Sequence, residues 1–424
     1  MLDPSSEKPG GAVAGAALAA LFGAAGAQEF LAARWPERHY AVHRTPQQLP
    51  PVLRGPELAS LDALAQRYRG AVTFGRGARD ARTVSVDAHA ANLFRLGLTV
   101  YLPDIAPFVA GAPAWLQALE RELGLPAACC KLGAFASPRD DGVVCHFDAD
   151  DVISIQLQGR KVFHVAPVEG LPYPAGRQFG PGMLPGDELY PQAGAGFPRP
   201  DGAPFERIAM APGSVLFLPR GTWHRSEAGE DSFSVSIGIR PPAAMDRLLQ
   251  RLRDLLLQDP QWRRPLYEAH GTGAQRDALA ARLDGLIGDL PRLLDQIGGA
   301  ALLQPATPQS VAPLTDASRL QKVPMARLDY ARLDGRRLAL TVTAWDQEWI
   351  ERTTLATEAP APAADLLDWL ARTDAPFGAA AFYRHFPALP QRDKQQLLEL
   401  LTRAGFLRLL WFPALAQKDD TGPS

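Results

Sequence analysis

An α+β fold with a small β-barrel or sandwich near its centre is what this chain of 424 residues predicts, and three observations carry the prediction. Between Lys131 and Ile239, short runs of alternating apolar and polar residues recur with Gly- or Pro-containing turns between them, as in a compact all-β unit. From Met245 the period changes: Met245, Leu248, Leu249, Leu252, Leu255 and Leu256 repeat at helical spacing, as do Leu279, Leu283, Leu286, Leu290 and Leu294. After a Pro-, Ala- and Ser-containing linker at 301–327, strand-like and helix-like runs mix in a smaller unit. The length suits two or three domains.

Taken in order, residues 17–34 predict one continuous helix and 57–68 a second, with strand-like Tyr40-Ala41-Val42-His43 between them. The Ala- and Gly-rich start resembles a signal peptide, but Asp3 and Glu7 stand against only Lys8, so a basic leading region is missing. The run reads instead as an amphipathic helix of the mature protein. Leu96 to Leu102 predicts a strand, and Trp115, Leu116, Leu119 and Leu123 set a helix over 113–123. Lys131 to Ser137 and Val143 to Asp148 read as paired strands around the turn at 138–142. The clearest pattern follows: Ile153, Ile155 and Leu157 alternate with Ser154, Gln156 and Gln158, Gly159-Arg160 turns, and Lys161 to Val165 returns. Residues 167–206, crowded with Pro and Gly, predict a long irregular loop, a class often used as a lid or binding loop. Strands resume at 207–210, 214–218 and 232–237, the last with Ser232, Ser234 and Ser236 on one face. Pro291 should kink the helix at 279–294. The final unit predicts strands at 337–344 and 348–353, helices near 363–372 and 391–404, and a closing apolar run at 406–412.

Composition excludes several classes. Lys and Arg total 44 against 46 Asp and Glu, so overall charge gives no support for nucleic-acid or membrane-surface binding. No later segment is long and apolar enough to span a bilayer. The three cysteines, Cys129, Cys130 and Cys145, make a poor disulfide framework and suit a reducing cytoplasm. Helix 391–403 carries Asp393 and Glu399 beside Arg392 and Lys394, so it lacks the basic stripe of a DNA-recognition helix.

The chemistry concentrates in His146-Phe147-Asp148 and in His224, 78 residues after His146. Alternate residues of a strand share a face, so His146 and Asp148 can reach one metal while His224 arrives from a second strand. Two imidazoles and a carboxylate hold three positions of an octahedral ion and leave three open, the 2-His-1-carboxylate set of non-haem Fe(II) oxygenases. A lone His-x-Asp is weak; its position beside the best hairpin and the apolar strand preceding His224 strengthen it. Lys161 reads either as a buried cation in register with His146 or as a solvated strand-edge lysine. His164 should face away from Lys161, Cys145 away from the ligand face, and Trp223 should pack beside the site. Arg34, Arg38, His39 and His43, like Arg263 and Arg264, read as solvated faces rather than contact patches.

At His146-Phe147-Asp148, Gln156 to Lys161 and the Pro212-Gly213…Leu218-Pro219…His224 segment, the chain resembles the JmjC-type oxygenases, and among them the cupin-4 ribosomal oxygenases. Ser236-Ile237-Gly238-Ile239-Arg240-Pro241 is similar to that family's closing core strand, and Glu29-Phe30-Leu31…Trp35-Pro36 to its N-terminal helix. The resemblance covers most of 29–242 and implies a double-stranded β-helix (cupin/JmjC) core. With the period changes it divides the chain into N-terminal helices plus barrel at 1–242, a helical dimerisation region at 243–300, the linker at 301–327, a winged-helix-like domain at 328–413 and a tail at 414–424. It also implies Fe(II) held by His146, Asp148 and His224, with 2-oxoglutarate as cosubstrate and O2 as oxidant. Lys161 would anchor the far carboxylate of 2-oxoglutarate and Ser236 would offer it a hydroxyl, although Ser232 and Ser234 share that face. Lys161 is a departure, because the ribosomal oxygenases tend to place Arg there.

The leading expectation is a cytoplasmic, homodimeric Fe(II)- and 2-oxoglutarate-dependent hydroxylase of a protein or peptide side chain, with a ribosomal protein among the targets the resemblance implies. Residues 167–206 are expected to help hold the polypeptide. Two rivals stay open: a metal-dependent cupin acting on a small molecule without 2-oxoglutarate, and a non-catalytic cupin-fold scaffold that binds peptides. Metal content separates the scaffold from the enzymes, and succinate production separates the two enzymes.

Overall fold

The computed structural model describes residues 15–77, 82–126, 129–176, 178–194, 196–303, 314–323, 326–332, 335–345, 352–387 and 389–410. The expected tail at 414–424, the middle of the linker and most of the strand read at 348–353 lie outside these residues. The chain divides into two compact units, residues 241–310 on one hand and 1–240 with 311–424 on the other.

The first unit is built on twelve antiparallel strands: β1 (Tyr40–His43), β2 (Val72–Gly75), β3 (Thr83–Val86), β4 (Thr99–Leu102), β5 (Cys130–Ser137), β6 (Gly142–His146), β7 (Asp151–Gln158), β8 (Lys161–Pro167), β9 (Glu206–Met210), β10 (Ser214–Leu218), β11 (Thr222–Ala228) and β12 (Ser232–Ile239). Eight form a large sheet in the order β1-β10-β7-β12-β5-β4-β2-β3, and four a small one in the order β6-β11-β8-β9. Phe163, Val165, Ile208 and Met210 from the small sheet share one apolar cluster with Leu216 and Leu218 from the large sheet. The two sheets therefore face each other, the arrangement of a JmjC/cupin fold. The β7–β8 hairpin turns at Gly159, whose φ of 68° lies where glycine is favoured; a side chain there would also meet the Asp231 carbonyl.

Alternation decides what each face of the large sheet does. Ile153 and Ile155 of β7, Val215 and Phe217 of β10, and Val235 and Ile237 of β12 point outward and are fully buried under the N-terminal helices. Those helices are Ala16–Phe22 and Ala24–Glu29, bent by 109° at Gly23, so the continuous helix expected over 17–34 is broken there. The Gly23 φ of 77° ends the first helix, and the bend lets Leu18, Leu21 and Phe30 all reach the core. The Glu122 carboxylate accepts the Ala17 and Leu18 N–H groups at 2.9 and 2.8 Å, satisfying donors at the helix start. No single helix is long and apolar enough to cross a membrane.

The C-terminal part of this unit adds β13 (Arg319–Lys322), β14 (Arg327–Arg332), β15 (Arg337–Trp345), β16 (Arg352–Pro360), β17 (Phe377–Gly378) and β18 (Leu407–Leu409). One sheet runs β17-β13-β18 and another β14-β15-β16, with helices Ala364–Arg372, Ala379–His385 and Gln391–Arg403. Part of the expected linker is thus not a linker: residues 319–322 are the central strand of a sheet, paired with β17 and β18. Lys394, on the last of these helices, is 4 % exposed. Its ammonium donates to the Tyr383 and Phe386 carbonyls and closes the end of the preceding helix.

The second unit holds helices Ala244–Leu256, Pro260–Arg263, Gly273–Gly288, Leu290–Leu294 and Gly299–Leu303. The predicted kink at Pro291 lies two residues earlier, at Asp289, because Pro291 takes a first-turn position, where its missing N–H costs nothing.

Candidate metal centre

His146 ends β6 and His224 lies on β11, and the two are direct partners across the antiparallel pairing. Their rings sit 4.2 Å apart between centroids. Each Nδ1 faces the backbone carbonyl two residues back: His146 to Val144 at 2.8 Å, His224 to Thr222 at 2.9 Å. A carbonyl only accepts, so each Nδ1 must carry the proton, which leaves each Nε2 with a free lone pair. Both Nε2 atoms face Asp148, at 3.7 Å from Oδ1 and 3.5 Å from Oδ2. These separations are long for hydrogen bonds and suit donors that each lie about 2.1 Å from a shared ion. Ligand atoms of the three residues all lie within 4.8 Å of one another.

The donor chemistry fits a divalent transition metal. Both imidazoles are nearly buried, and burial together with the adjacent His146 ring pulls His224 down to about 4, so it stays neutral and able to ligate at physiological pH. Two contacts hold the carboxylate segment against the strand bearing His224. Gly221 N–H donates to the Asp148 carbonyl at 2.9 Å, and Arg220 N–H donates to the Asp151 carboxylate at 2.9 Å.

Lys161 starts β8 and is 2 % exposed, directed into the space between the sheets. Its ammonium donates to Ser137 Oγ at 3.3 Å, and no carboxylate among the described residues forms an ion pair with it. Burial lowers Lys161 to about 8, with the Asp141 charge opposing the shift. Ser236 faces the same interior from β12, opposite Ser154 of β7 and Gly133 of β5. Ser232 and Ser234 lie on that face as well, and Ser232 accepts from Gln156 at 3.4 Å. A buried ammonium bonded to a single hydroxyl has the chemistry to receive a small anion.

Tyr101 went unnoticed in the sequence. Its ring stacks on Phe135 at 4.3 Å and lies against Gly133, beside the position of Ser236. Burial, with the Asp148 and Asp150 charges added, pushes its phenol up, so it stays protonated, and its hydroxyl donates to the Pro103 carbonyl at 3.4 Å. Only the fact that a strand contributes alternate residues to two faces could have singled it out, and the weak alternation of β4 hid that. His164 does face outward, toward Glu227 at 3.9 Å, and His39 and Arg34 pair with Glu206 and Glu29 away from the centre.

Among its described residues, the Pro- and Gly-rich insert between β8 and β9 has one short helix, Leu189–Ala193, yet it has a core. Leu171, Phe179 and Leu189 pack with Phe147 and Trp223, the neighbours of the three candidate ligands, and Cys145 packs at the edge. Trp223 meets Phe147 edge-on at 5.0 Å.

The JmjC domain family matches residues 125–247. Over 159 residues the chain is 30 % identical to the uncharacterized protein YxbC of Bacillus subtilis (strain 168), covering 37 % of this chain and 48 % of that one. Over 136 residues it is 28 % identical to the bifunctional lysine-specific demethylase and histidyl-hydroxylase NO66 of Drosophila willistoni, covering 30 % of this chain and 16 % of that one. The chain thus spans about half, or less, of the length of these curated relatives. A solved structure of YcfD, a ribosomal oxygenase from Escherichia coli in complex with cobalt and 2-oxoglutarate, is similar at 19 % identity and a TM-score of 0.39, over 90 % of this chain and 97 % of that one. His146, Asp148 and His224 all fall inside the segment that the JmjC domain family matches.

Proposed function

We propose that the protein is an Fe(II)- and 2-oxoglutarate-dependent oxygenase that hydroxylates a side chain of a protein or peptide. The observation that carries this reading is the convergence of two Nδ1-tethered imidazoles and one carboxylate on the same interior as the buried Lys161 ammonium. His146, Asp148 and His224 would hold the metal on one side and leave the other open. The metal so held would supply activation of O2, the oxidant, whose two oxygen atoms would end in the hydroxylated target and in the succinate left when 2-oxoglutarate loses CO2. Lys161 would pair with the far carboxylate of 2-oxoglutarate, with Ser236 and Ser137 as neighbouring hydroxyls. The closely packed strands around them keep bulk water out of the interior.

A polypeptide target is favoured by the insert and by the material beyond the barrel, both superfluous for a small metabolite. A ribosomal protein is one such target. Several readings accompany this one: barrel and N-terminal helices at 1–242, a dimerising helical region at 243–300, a winged-helix-like domain within 328–413, and a reducing cytoplasm for the three free cysteines. Met245 and Leu249, each 55 % exposed on helix 244–256, support the dimer, which a monomeric mass by light scattering at micromolar concentration would contradict.

The deciding experiment incubates the iron-loaded protein with candidate polypeptides, with and without 2-oxoglutarate, and reads them by mass spectrometry. A gain of one oxygen atom that requires 2-oxoglutarate, with succinate formed, is expected. Turnover of a metabolite without succinate would favour the small-molecule rival, and a protein that binds no metal would favour the scaffold.

A further inference from the structure

We infer that Gly180, in the insert, is a positioning residue for the ligand His146; this rests on the metal reading above. Gly180 is buried, and a methyl group added to it would stand 2.3 Å from the Cys145 carbonyl oxygen and 3.0 Å from both Cα and Cβ of His146. The insert's backbone therefore lies directly against the backbone of a candidate ligand, and only glycine allows that approach. The neighbouring residue makes the contact two-sided: Phe179 and Phe147 exchange N–H···O=C bonds of 2.9 and 3.0 Å. Phe147 stands between His146 and Asp148, so one short bridge holds the insert to the middle of the ligand pair. Behind it, aromatic contacts run outward from Phe147 to Phe179, from Phe179 to Phe197 at 5.4 Å and on to Tyr190 at 5.2 Å. Arg225, adjacent to His224, lies over the Phe205 ring at 5.4 Å, so the other ligand strand touches the insert too.

Close packing transmits displacement rather than absorbing it. A methyl at Gly180 must move either the insert or His146, and the hydrogen bonds at Phe147 resist moving the insert alone. The His146 Nε2 would then leave its place relative to Asp148 and His224. The insert is by this account the floor of the metal centre, and segment 171–183 should sense whether metal is bound.

The test uses the full chain and cobalt(II), with the affinity measured by competition against a chromophoric chelator and the coordination followed by its visible bands. Gly180→Ala should lower cobalt affinity by roughly 10- to 100-fold, as loss of an outer-sphere support does, and shift the visible bands. The control is Gly182→Ala, which strains a backbone with φ of 81° but meets nothing within 4 Å, and should leave both unchanged. Equal affinity and spectra for Gly180→Ala and wild type would overturn the inference, as would equal losses in both variants. In case Gly180→Ala does not fold, hydrogen exchange on the wild type gives an independent reading. Cobalt should slow exchange in the peptide covering 171–183; unchanged exchange there, with protection gained at 142–148, would overturn the coupling. A wild type that takes up no cobalt would sink the metal reading itself, and this inference with it.

Discussion

The two faces of β7 and β12 carry opposite chemistry from interleaved residues. Outward, Ile153, Ile155, Val235 and Ile237 are fully buried against helices. Inward, Ser154, Gln156, Ser234 and Ser236 line the space that also receives Lys161. The outward face gains stability from apolar area removed from water, at roughly 25 cal/mol per Å². The inward face loses some, because buried polar groups without full partners cost free energy; Gln156 Oε1 has no hydrogen-bond partner among the described residues. One strand thus pays on one side for a receptor that it can build on the other.

If that division holds, substitutions on the two faces should separate binding from folding. The largest effect is expected from His224→Ala. Metal affinity should fall by more than the roughly 100-fold that loss of an outer-sphere support costs, while the apo protein still folds. Elemental analysis after desalting reads the first, and full metal retention would break the ligand assignment. On the outward face, Ile237→Ala should destabilise by about 2–5 kcal/mol in urea titrations and leave metal stoichiometry unchanged. A loss of metal without a loss of stability would show the faces are not independent.

Lys161→Met sharpens the comparison because it should act in opposite directions on the two properties. Cosubstrate affinity should weaken by about 2–4 kcal/mol, since a buried carboxylate would lose its cation. The apo protein should become more stable at neutral pH. With Lys161 at about 8 in the fold against 10.5 unfolded, charging it costs roughly 3 kcal/mol there. The sign follows from proton binding: between pH 8 and 10.5 the unfolded chain holds more protons, so wild-type stability from this group rises with pH. The gap between variant and wild type should therefore be full below pH 8 and close toward 10.5, which chemical denaturation across that range measures. The smallest effect is expected from Ser236→Ala: about 1 kcal/mol, or fivefold, in 2-oxoglutarate affinity, by calorimetric titration of the metal-loaded protein. A loss as large as that for Lys161→Met would make Ser236 the main anchor.

The insert changes how its role should be probed. Removing 167–206 as a block would strip the covering from Phe147 and Trp223, so metal binding would not be spared. Leu184 and Tyr190, 93 % and 57 % exposed, are better sites for testing contact with a polypeptide.

What was legible in the sequence was local. The alternation over Ile153 to Leu157 and the Gly159 turn are each set within a few residues, and the structure repeats them; Asp148 lies near His146 as its spacing implies, but beyond the end of β6 rather than on it. What was not legible depends on partners far along the chain. The strand at 319–322 is short and gains its identity from residues 377–378 and 407–409. The burial of Lys394 depends on the carbonyls at the end of another helix, which its own neighbours in sequence do not announce. Gly180 looked like any loop glycine, because the His146 backbone it touches lies over thirty residues away.

The direct pairing of His146 with His224 across two strands 78 residues apart has a consequence for the order of folding. Closing so long a loop costs entropy before any contact rewards it, and such contacts form late. A chain emerging from the ribosome can hold a metal with all three ligands only after β11 has emerged and docked beside β6. Metal affinity would then appear as a step late in synthesis, and nascent chains ending before residue 222 would lack it.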